Sequence, residues 1–137
     1  MSDQITDIFA ISGYGLKAQD QRMKVIAENV ANADTTASSP GQKPYQRRLV
    51  TFKNVFDKAL GAYKVQVSGI RTDNTGFNKK YDPSNPAADA QGYIQMPNVN
   101  PLVEQIDMGE ASRSYQANLD VITASRSMIL KTIGLLQ

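Results

Sequence analysis

The side chains with the clearest chemical potential are three carboxylates, Glu104, Asp107 and Glu110, which lie three residues apart. On a helix this spacing places them on one face, where carboxylate oxygens could hold a divalent cation. Acids in the first turns of a helix more often complement the positive end of its dipole. We therefore predict no metal site here.

A second group combines four cations with two aromatic rings. Its members are Lys43, Tyr45, Arg47, Arg48, Phe52 and Lys53. Such side chains could contact phosphates, but the chain has 15 basic and 13 acidic residues, a net charge of +2, and no recognised nucleic-acid motif. A solvated loop or strand edge explains the group better, and we predict no nucleic-acid partner.

The residue types also limit catalysis. The chain contains no Cys and no His, which excludes disulfides, Cys/His metal sites and catalysis by either side chain. The acid- and amide-containing stretches at 73–78 and 82–92 do not have the spacing of a calcium-binding EF-hand loop. We predict a protein that is not an enzyme, with no catalytic residues and no cofactor.

Apolar repeats at both ends of the chain predict two long helices. Spacings of four and three alternate along Ile5, Phe9, Ser12, Leu16, Gln19, Met23, Ile26 and Val30. After Asn100-Pro101, which can serve as cap and first helical residue, a seven-residue repeat contains Met108, Tyr115, Ile122, Ile129 and Leu136, widened by Ala111, Leu119 and Ile133. Such spacing is typical of helices that pair along a narrow seam.

Between the helices the pattern changes. Period-two alternation over 65–70 and the segment 92–96 predict a small β-hairpin or sheet between residues 45 and 97, after a loop at 33–44. The predicted fold is therefore mainly α with a small β region, its terminal helices paired as an antiparallel coiled-coil-like unit. Residues 1–35 and 99–137 would form an inner helical domain, and residues 36–98 a loop plus a small β-rich middle domain.

Two paired helices cover only about one stripe of each other. Ile8, Ile11, Val103 and Leu130 fall off the predicted seams and are expected to be partly exposed. Exposed apolar surface of this kind marks a site for partners or further copies. The pattern indicates a subunit of an assembly.

The ends of the sequence also bear on its location. The first ten residues include Asp3 and Asp7 and lack a basic region followed by an apolar run, so we predict no cleaved signal peptide. The apolar stretch 128–136 is short and interrupted by Lys131 and Gly134, which predicts no membrane-spanning helix. Taken alone, these features favour a cytoplasmic protein.

Two stretches resemble a known family. Residues 11–35 are similar to the N-terminal signature of the bacterial flagellar rod, hook and hook-associated proteins, through Ser12-Gly13, Ala18-Gln19, Arg22 and Asn29-Val30-Ala31-Asn32. Residues 81–118 resemble the proximal rod proteins of that family, most specifically in PNVNP (97–101) and EASRSYQAN (110–118). The family's Thr-Pro-Gly-Tyr after the Asn motif is expanded here to TTASSPGQKPY (35–45), which predicts a delayed turn at Pro40-Gly41.

The resemblance implies a structural subunit of the flagellar basal-body rod, the drive shaft that crosses the periplasm. In that family the terminal helices stack around a central export channel, and the subunits are exported without a cleaved signal peptide. The implied partners are further copies, other proximal and distal rod proteins and the export-gate adaptor at the rod base, without direct membrane insertion. An alternative, a cytoplasmic coiled-coil adaptor or type III secretion chaperone, explains the helices but not the match over 81–118.

The predicted functional residues are accordingly those of a subunit interface. They are Ile5, Phe9, Leu16, Met23, Ile26, Asn29, Val30, Asn32, Met108, Tyr115, Asn118, Ile122, Ile129, Ile133 and Leu136. Asn29 and Asn32 lie one helical turn apart, where their amides could bond to neighbouring backbones. Composition alone favours a simple helix end at these residues, and the resemblance favours a contact surface.

Overall fold

In sequence order, a long helix comes first, four strands follow, and a second long helix comes last. The computed structural model describes residues 2–135, with side chains described from residue 6 to residue 135. The elements are α1 (Ser2–Ala31), β1 (Arg48–Asp57), β2 (Ala62–Thr72), β3 (Asn78–Tyr81), β4 (Tyr93–Met96) and α2 (Pro101–Leu135). This confirms a mainly α fold with a small β region.

Local hydrogen bonds cap the C-terminal end of α1 and the N-terminal end of α2. At the start of α2, Asn100 Oδ1 accepts a hydrogen bond from Leu102 N at 3.0 Å, and Pro101 is the first helical residue, as predicted. At the end of α1, Asn32 Nδ2 donates to Glu28 O at 2.8 Å. Thr35 Oγ1 then donates to Asn32 Oδ1 at 3.2 Å, so Asn32 finishes its own helix.

Strands β1 and β2 form an antiparallel hairpin that is longer than the sequence pattern indicates. Its register shifts between Thr51 and Phe52, because Ser68 has no partner residue on β1. The tight turn after Asp57 ends at Gly61, whose φ of +60° is easily adopted by glycine. The bulged residue, Ser68, lies inside the predicted strand 65–70, and β2 extends beyond that stretch at both ends.

Strands β3 and β4 form a second, separate two-stranded sheet. The predicted strand at 92–96 is therefore confirmed, but it does not join the hairpin. The loop before β1 turns at Ser39–Gln42, where Gly41 has a φ of +81°, and closes with a 3.4 Å hydrogen bond from Tyr45 N to Thr35 O. The predicted turn at Pro40-Gly41 is confirmed.

Helix α1 is the central element of the molecule. It packs along α2 and against both β1 and β2, and Lys64 of the hairpin lies over the Tyr14 ring at 4.1 Å. Among residues 2–135, α1 is the one element that packs closely along α2. Neither helix, over its described length, has the long apolar stretch needed to cross a bilayer.

Candidate assembly interface

Three contacts between α1 and α2 define how the helices lie against each other. Asn29 Nδ2 donates to Glu104 Oε2 at 2.9 Å, and Arg22 Nη2 donates to Glu110 Oε2 at 3.3 Å. Further along, Gly15 lies beside Asn118. Residue numbers fall along α2 as they rise along α1, so the two helices run antiparallel.

The centre of the helix contact is made of small and polar residues rather than large apolar ones. On α2 the buried side chains are Glu104, Ala111 and Ser125, and half-buried Asn118 completes a seven-residue spacing. A Cβ on Gly15 would lie 2.5 Å from Asn118 Oδ1, so a larger residue here would force the Asn118 side chain to move. Gly13, in contrast, has open space around it.

The residues predicted for the subunit interface lie mostly on the flanks of this contact. Ile26 is buried inside the chain, whereas Val30 and Ile133 are exposed. Half-buried positions are Phe9, Leu16, Met23, Met108, Tyr115, Asn118, Ile122 and Ile129. The side chains of Ile5 and Leu136 lie outside those described.

The outer surface of α2 exposes several large apolar side chains. Leu102, Met128 and Leu135 are 65%, 56% and 87% exposed, and Ile106, Val121 and Leu130 are exposed as well. Ile8, Val103 and Leu130 are exposed and Ile11 is half-buried, which confirms that the residues off the predicted seams are at least partly exposed. The described residues leave these apolar side chains of α2 uncovered.

Asn29 is placed inside the subunit. Its side chain is 1% exposed, and its amide makes four hydrogen bonds within the chain. Nδ2 donates to Arg48 O at 2.8 Å and to Glu104 Oε2 at 2.9 Å. Oδ1 accepts from Arg48 N and from Tyr45 Oη, both at 2.9 Å. This uses the full hydrogen-bonding capacity of the amide.

The acidic and basic groups noted in the sequence meet at this point. Arg47 Nε donates to Glu104 Oε1 at 2.6 Å, and Arg47 Nη2 donates to Asp107 Oδ2 at 3.2 Å. Arg48 pairs with Glu28 at 3.0 Å on the surface. The carboxylates of α2 therefore bind a guanidinium of their own chain. Burial raises the pKa of the neighbouring Tyr45 phenol.

Asn98 connects the remaining segments to the same region. Its Oδ1 accepts from Arg47 N at 2.8 Å, and its Nδ2 donates to Asp73 O at 3.0 Å. We call Asn29, Tyr45, Arg47, Asn98 and Glu104 the polar junction. It joins the end of α1, the start of β1, the segment after β2 and the start of α2.

Sequence reasoning missed most of the polar junction. Asn29 was singled out, but as a contact to another subunit, and Asn98 was noted only within PNVNP. Arg47 and Glu104 were assigned to unrelated surface groups, although they lie 57 residues apart in sequence and in direct contact in space. One signal in the sequence could have indicated that Glu104 is buried: it lies seven residues before Ala111, so the two share a helix face.

Comparison with known proteins gives the class first. The model of the family described as flagella basal body rod protein matches residues 10–37, within α1 and the loop after it. The model described as flagellar basal body rod FlgEFG protein C-terminal matches residues 90–135, which include β4 and α2. A paired-helix subunit of the flagellar rod type accounts for both ends of the chain.

Full-length relatives make the identification more specific. A flagellar basal-body rod protein FlgC from Agrobacterium fabrum is 44% identical over 135 residues, covering 98% of this chain and 97% of the relative. The FlgC proteins of Escherichia coli O6:H1 and Bacillus subtilis are 41% and 36% identical, covering 96% and 90% of this chain and 97% and 92% of their own lengths. The chain belongs to the FlgC family and is a structural subunit of the flagellar basal-body rod.

Proposed function

We propose that the chain assembles helically with further copies of itself and with other proximal and distal rod proteins, through α1 and α2. The paired ends, residues 1–35 and 99–137, form a coiled-coil-like inner domain that walls a central export channel. Residues 36–98 form the middle domain outside it. The observation that carries the proposal is the uncovered apolar surface of α2.

The energetics of this surface support assembly through many small contacts. Fully burying a large apolar side chain stabilises by about 1.5–3 kcal/mol, and α2 exposes several of them in each copy. Contacts distributed in this way suit a shaft that transmits torque, because no single interface bears the load. The task requires no titrating group and no enzyme activity.

The proposed location follows from the same family. A rod subunit stands in the basal body, and we propose that this rod spans the periplasm and meets the export-gate adaptor at its base. The chain reaches it by the flagellar export apparatus without a cleaved signal peptide. It contacts the export machinery and its neighbours, and does not insert directly into a membrane.

A charge on the outer face of α2 tests the proposal. Met128→Asp places a carboxylate on the exposed apolar surface, where it costs little in the free subunit but must be desolvated in an assembled one. We expect swimming in soft agar to be lost, and the subunit to be absent from purified basal bodies while still present in whole cells. Ser38→Asp, which makes the same charge change at an exposed position in the loop before β1, is the control and should swim.

Normal swimming and normal basal-body content in the Met128→Asp strain would refute the proposed interface. Cell fractionation addresses the adaptor or chaperone alternative independently. A rod subunit co-purifies with basal bodies, whereas an adaptor or chaperone stays in the cytosol.

A further inference from the structure

We propose that Asn29 is the positioning residue that fixes the β1–β2 hairpin on the helix pair. The inference depends on contacts within one subunit and not on the proposed assembly. It assigns to the polar junction the role of a joint between three parts of the fold: α1, the hairpin and α2.

Asn29 extends the hairpin as a neighbouring strand would. Its Nδ2 donates to Arg48 O and its Oδ1 accepts from Arg48 N, so both backbone groups of the first β1 residue are bound by one side chain. On its other side Arg48 pairs with Thr72 of β2. The amide therefore substitutes for a peptide group at the open edge of β1, and anchors that edge to α1.

The same amide links the hairpin to α2. Its second Nδ2 hydrogen is donated to Glu104 Oε2, while Glu104 Oε1 accepts from Arg47 one residue before β1. No strand among residues 2–135 packs closely along α2. Within the described chain, the orientation of the hairpin relative to α2 is thus held through α1 and through the polar junction.

Only a carboxamide of this length satisfies the site. Both Nδ2 hydrogens point at oxygens, Arg48 O and Glu104 Oε2, and both Oδ1 bonds come from donors. A carboxylate has no donor and a protonated carboxyl has only one, so Asn29→Asp cannot donate to both the Arg48 carbonyl and the Glu104 carboxylate. The substitution replaces the amide nitrogen by oxygen and leaves the size and shape of the side chain nearly unchanged. Its effect therefore reports hydrogen bonding and not packing.

Two pairs of spin labels on the full chain can measure the coupling. The chain has no native cysteine, so labels attach only where Cys is introduced. One pair, at Lys58 in the hairpin turn and Arg113 on α2, reports the orientation of the hairpin. The other pair, at Lys24 on α1 and Arg126 on α2, reports the helix pair. All four positions are exposed.

We expect the parent chain to give a single narrow distance for each pair. In Asn29→Asp the hairpin pair should lose its single distance and broaden, while the helix pair stays narrow. Asn32→Asp is the matched control, because the Asn32 amide bonds within the last turn of α1 and should leave both distances unchanged. An unchanged hairpin distance in Asn29→Asp overturns the proposal, and so does equal broadening of both pairs.

A second variant decides the case in which Asn29→Asp fails to fold. Asn29→Asp with Glu104→Gln moves the carboxylate from one residue to the other and restores a donor between them, but leaves the Arg48 carbonyl facing a carboxylate oxygen. We expect helical circular dichroism to return while the hairpin pair remains broad. A narrow hairpin distance in this double variant overturns the proposal, as does its failure to regain helical structure.

Discussion

Glu104 is a charged side chain held almost entirely out of water, with 1% of its surface exposed. Removing a carboxylate from water is costly, and the cost is offset only where close partners satisfy its oxygens. Arg47 binds one oxygen at 2.6 Å and Asn29 binds the other at 2.9 Å. The Glu104 carboxylate therefore depends on both of these side chains.

Removing the carboxylate should be strongly destabilising. In Glu104→Ala, Arg47 loses its closest partner and one Asn29 hydrogen has no acceptor, so we expect the free energy of unfolding to fall by about 3 kcal/mol. Arg47 keeps its 3.2 Å contact with Asp107, which limits the loss. Urea unfolding followed by circular dichroism measures the change.

Glu110→Ala is the matched control on the same helix. Glu110 is 58% exposed and pairs with Arg22 at 3.3 Å, so its removal should cost about 0–1 kcal/mol. Equal losses in the two variants would contradict the role given to the buried carboxylate. The three-residue spacing predicts that Glu104 shares a helical face with Asp107 and Glu110, but it identifies neither the burial of Glu104 nor its partner Arg47, because one sequence carries no information on which distant residues meet.

At the scale of elements, the helices were predictable and the hairpin only partly so. Caps such as Asn100 and long apolar periodicity are local signals, and they located α2 within a residue of its start. The choice of the buried face of α1 was less accurate: Ala18, Val25 and Asn29 are buried while Val30 is exposed. Large apolar residues defined the predicted seam, whereas close backbone approach favours small ones.

The hairpin turn contains a charge pair that links its stability to pH. Lys64 Nζ bonds Asp57 Oδ2 at 2.6 Å, and Asp57 Oδ1 accepts from Ala59 N at 2.9 Å. The Lys64 bond first, and the backbone bond from Ala59 next, hold the pKa of Asp57 below its ordinary value of 3.8. The Asp57 bond raises the pKa of Lys64 above 10.5.

These shifts give the sign of the pH dependence. The folded hairpin binds the Asp57 proton less readily than the unfolded chain, so this stabilisation is present above about pH 4 and is lost as pH falls through the lower folded pKa. The Lys64 contribution is present below pH 10.5 and is lost as pH rises through the raised pKa.

Asp57→Asn should therefore lower the melting temperature at pH 7 and make its decline in acid shallower. The decline should not vanish, because hydrogen bonds also lower the pKa values of Asp73 and Asp89. Melting curves between pH 2 and pH 7 test this, with Asp34→Asn in the exposed loop as the control. Parallel acid profiles for Asp57→Asn and the parent chain would contradict the assignment.

The whole molecule is organised around α1, with the hairpin on one side and α2 on another. This arrangement predicts that damage to α2 spares the hairpin. Ile122 is half-buried on the flank of the helix contact, and Ile122→Asp puts a charge there. We expect a loss of about 2 kcal/mol for helix pairing, which raises amide exchange rates in α2 about 30-fold. Exchange in β1 and β2 should stay near the parent values, because they dock on α1.

Hydrogen exchange on the full chain measures the loss of helix pairing, and the protein content of basal bodies measures the loss of assembly. Ile122→Asp should also be missing from basal bodies, because assembly needs an ordered α2. Thr123→Asp is the control for hydrogen exchange: Thr123 is exposed, and its hydroxyl bonds to Leu119 O of its own helix. If exchange in β1 and β2 rises as much as in α2, the subunit unfolds as a single cooperative unit. The hairpin and α2 would then not dock on α1 independently. Normal swimming of the Ile122→Asp strain would remove this flank from the predicted assembly surface.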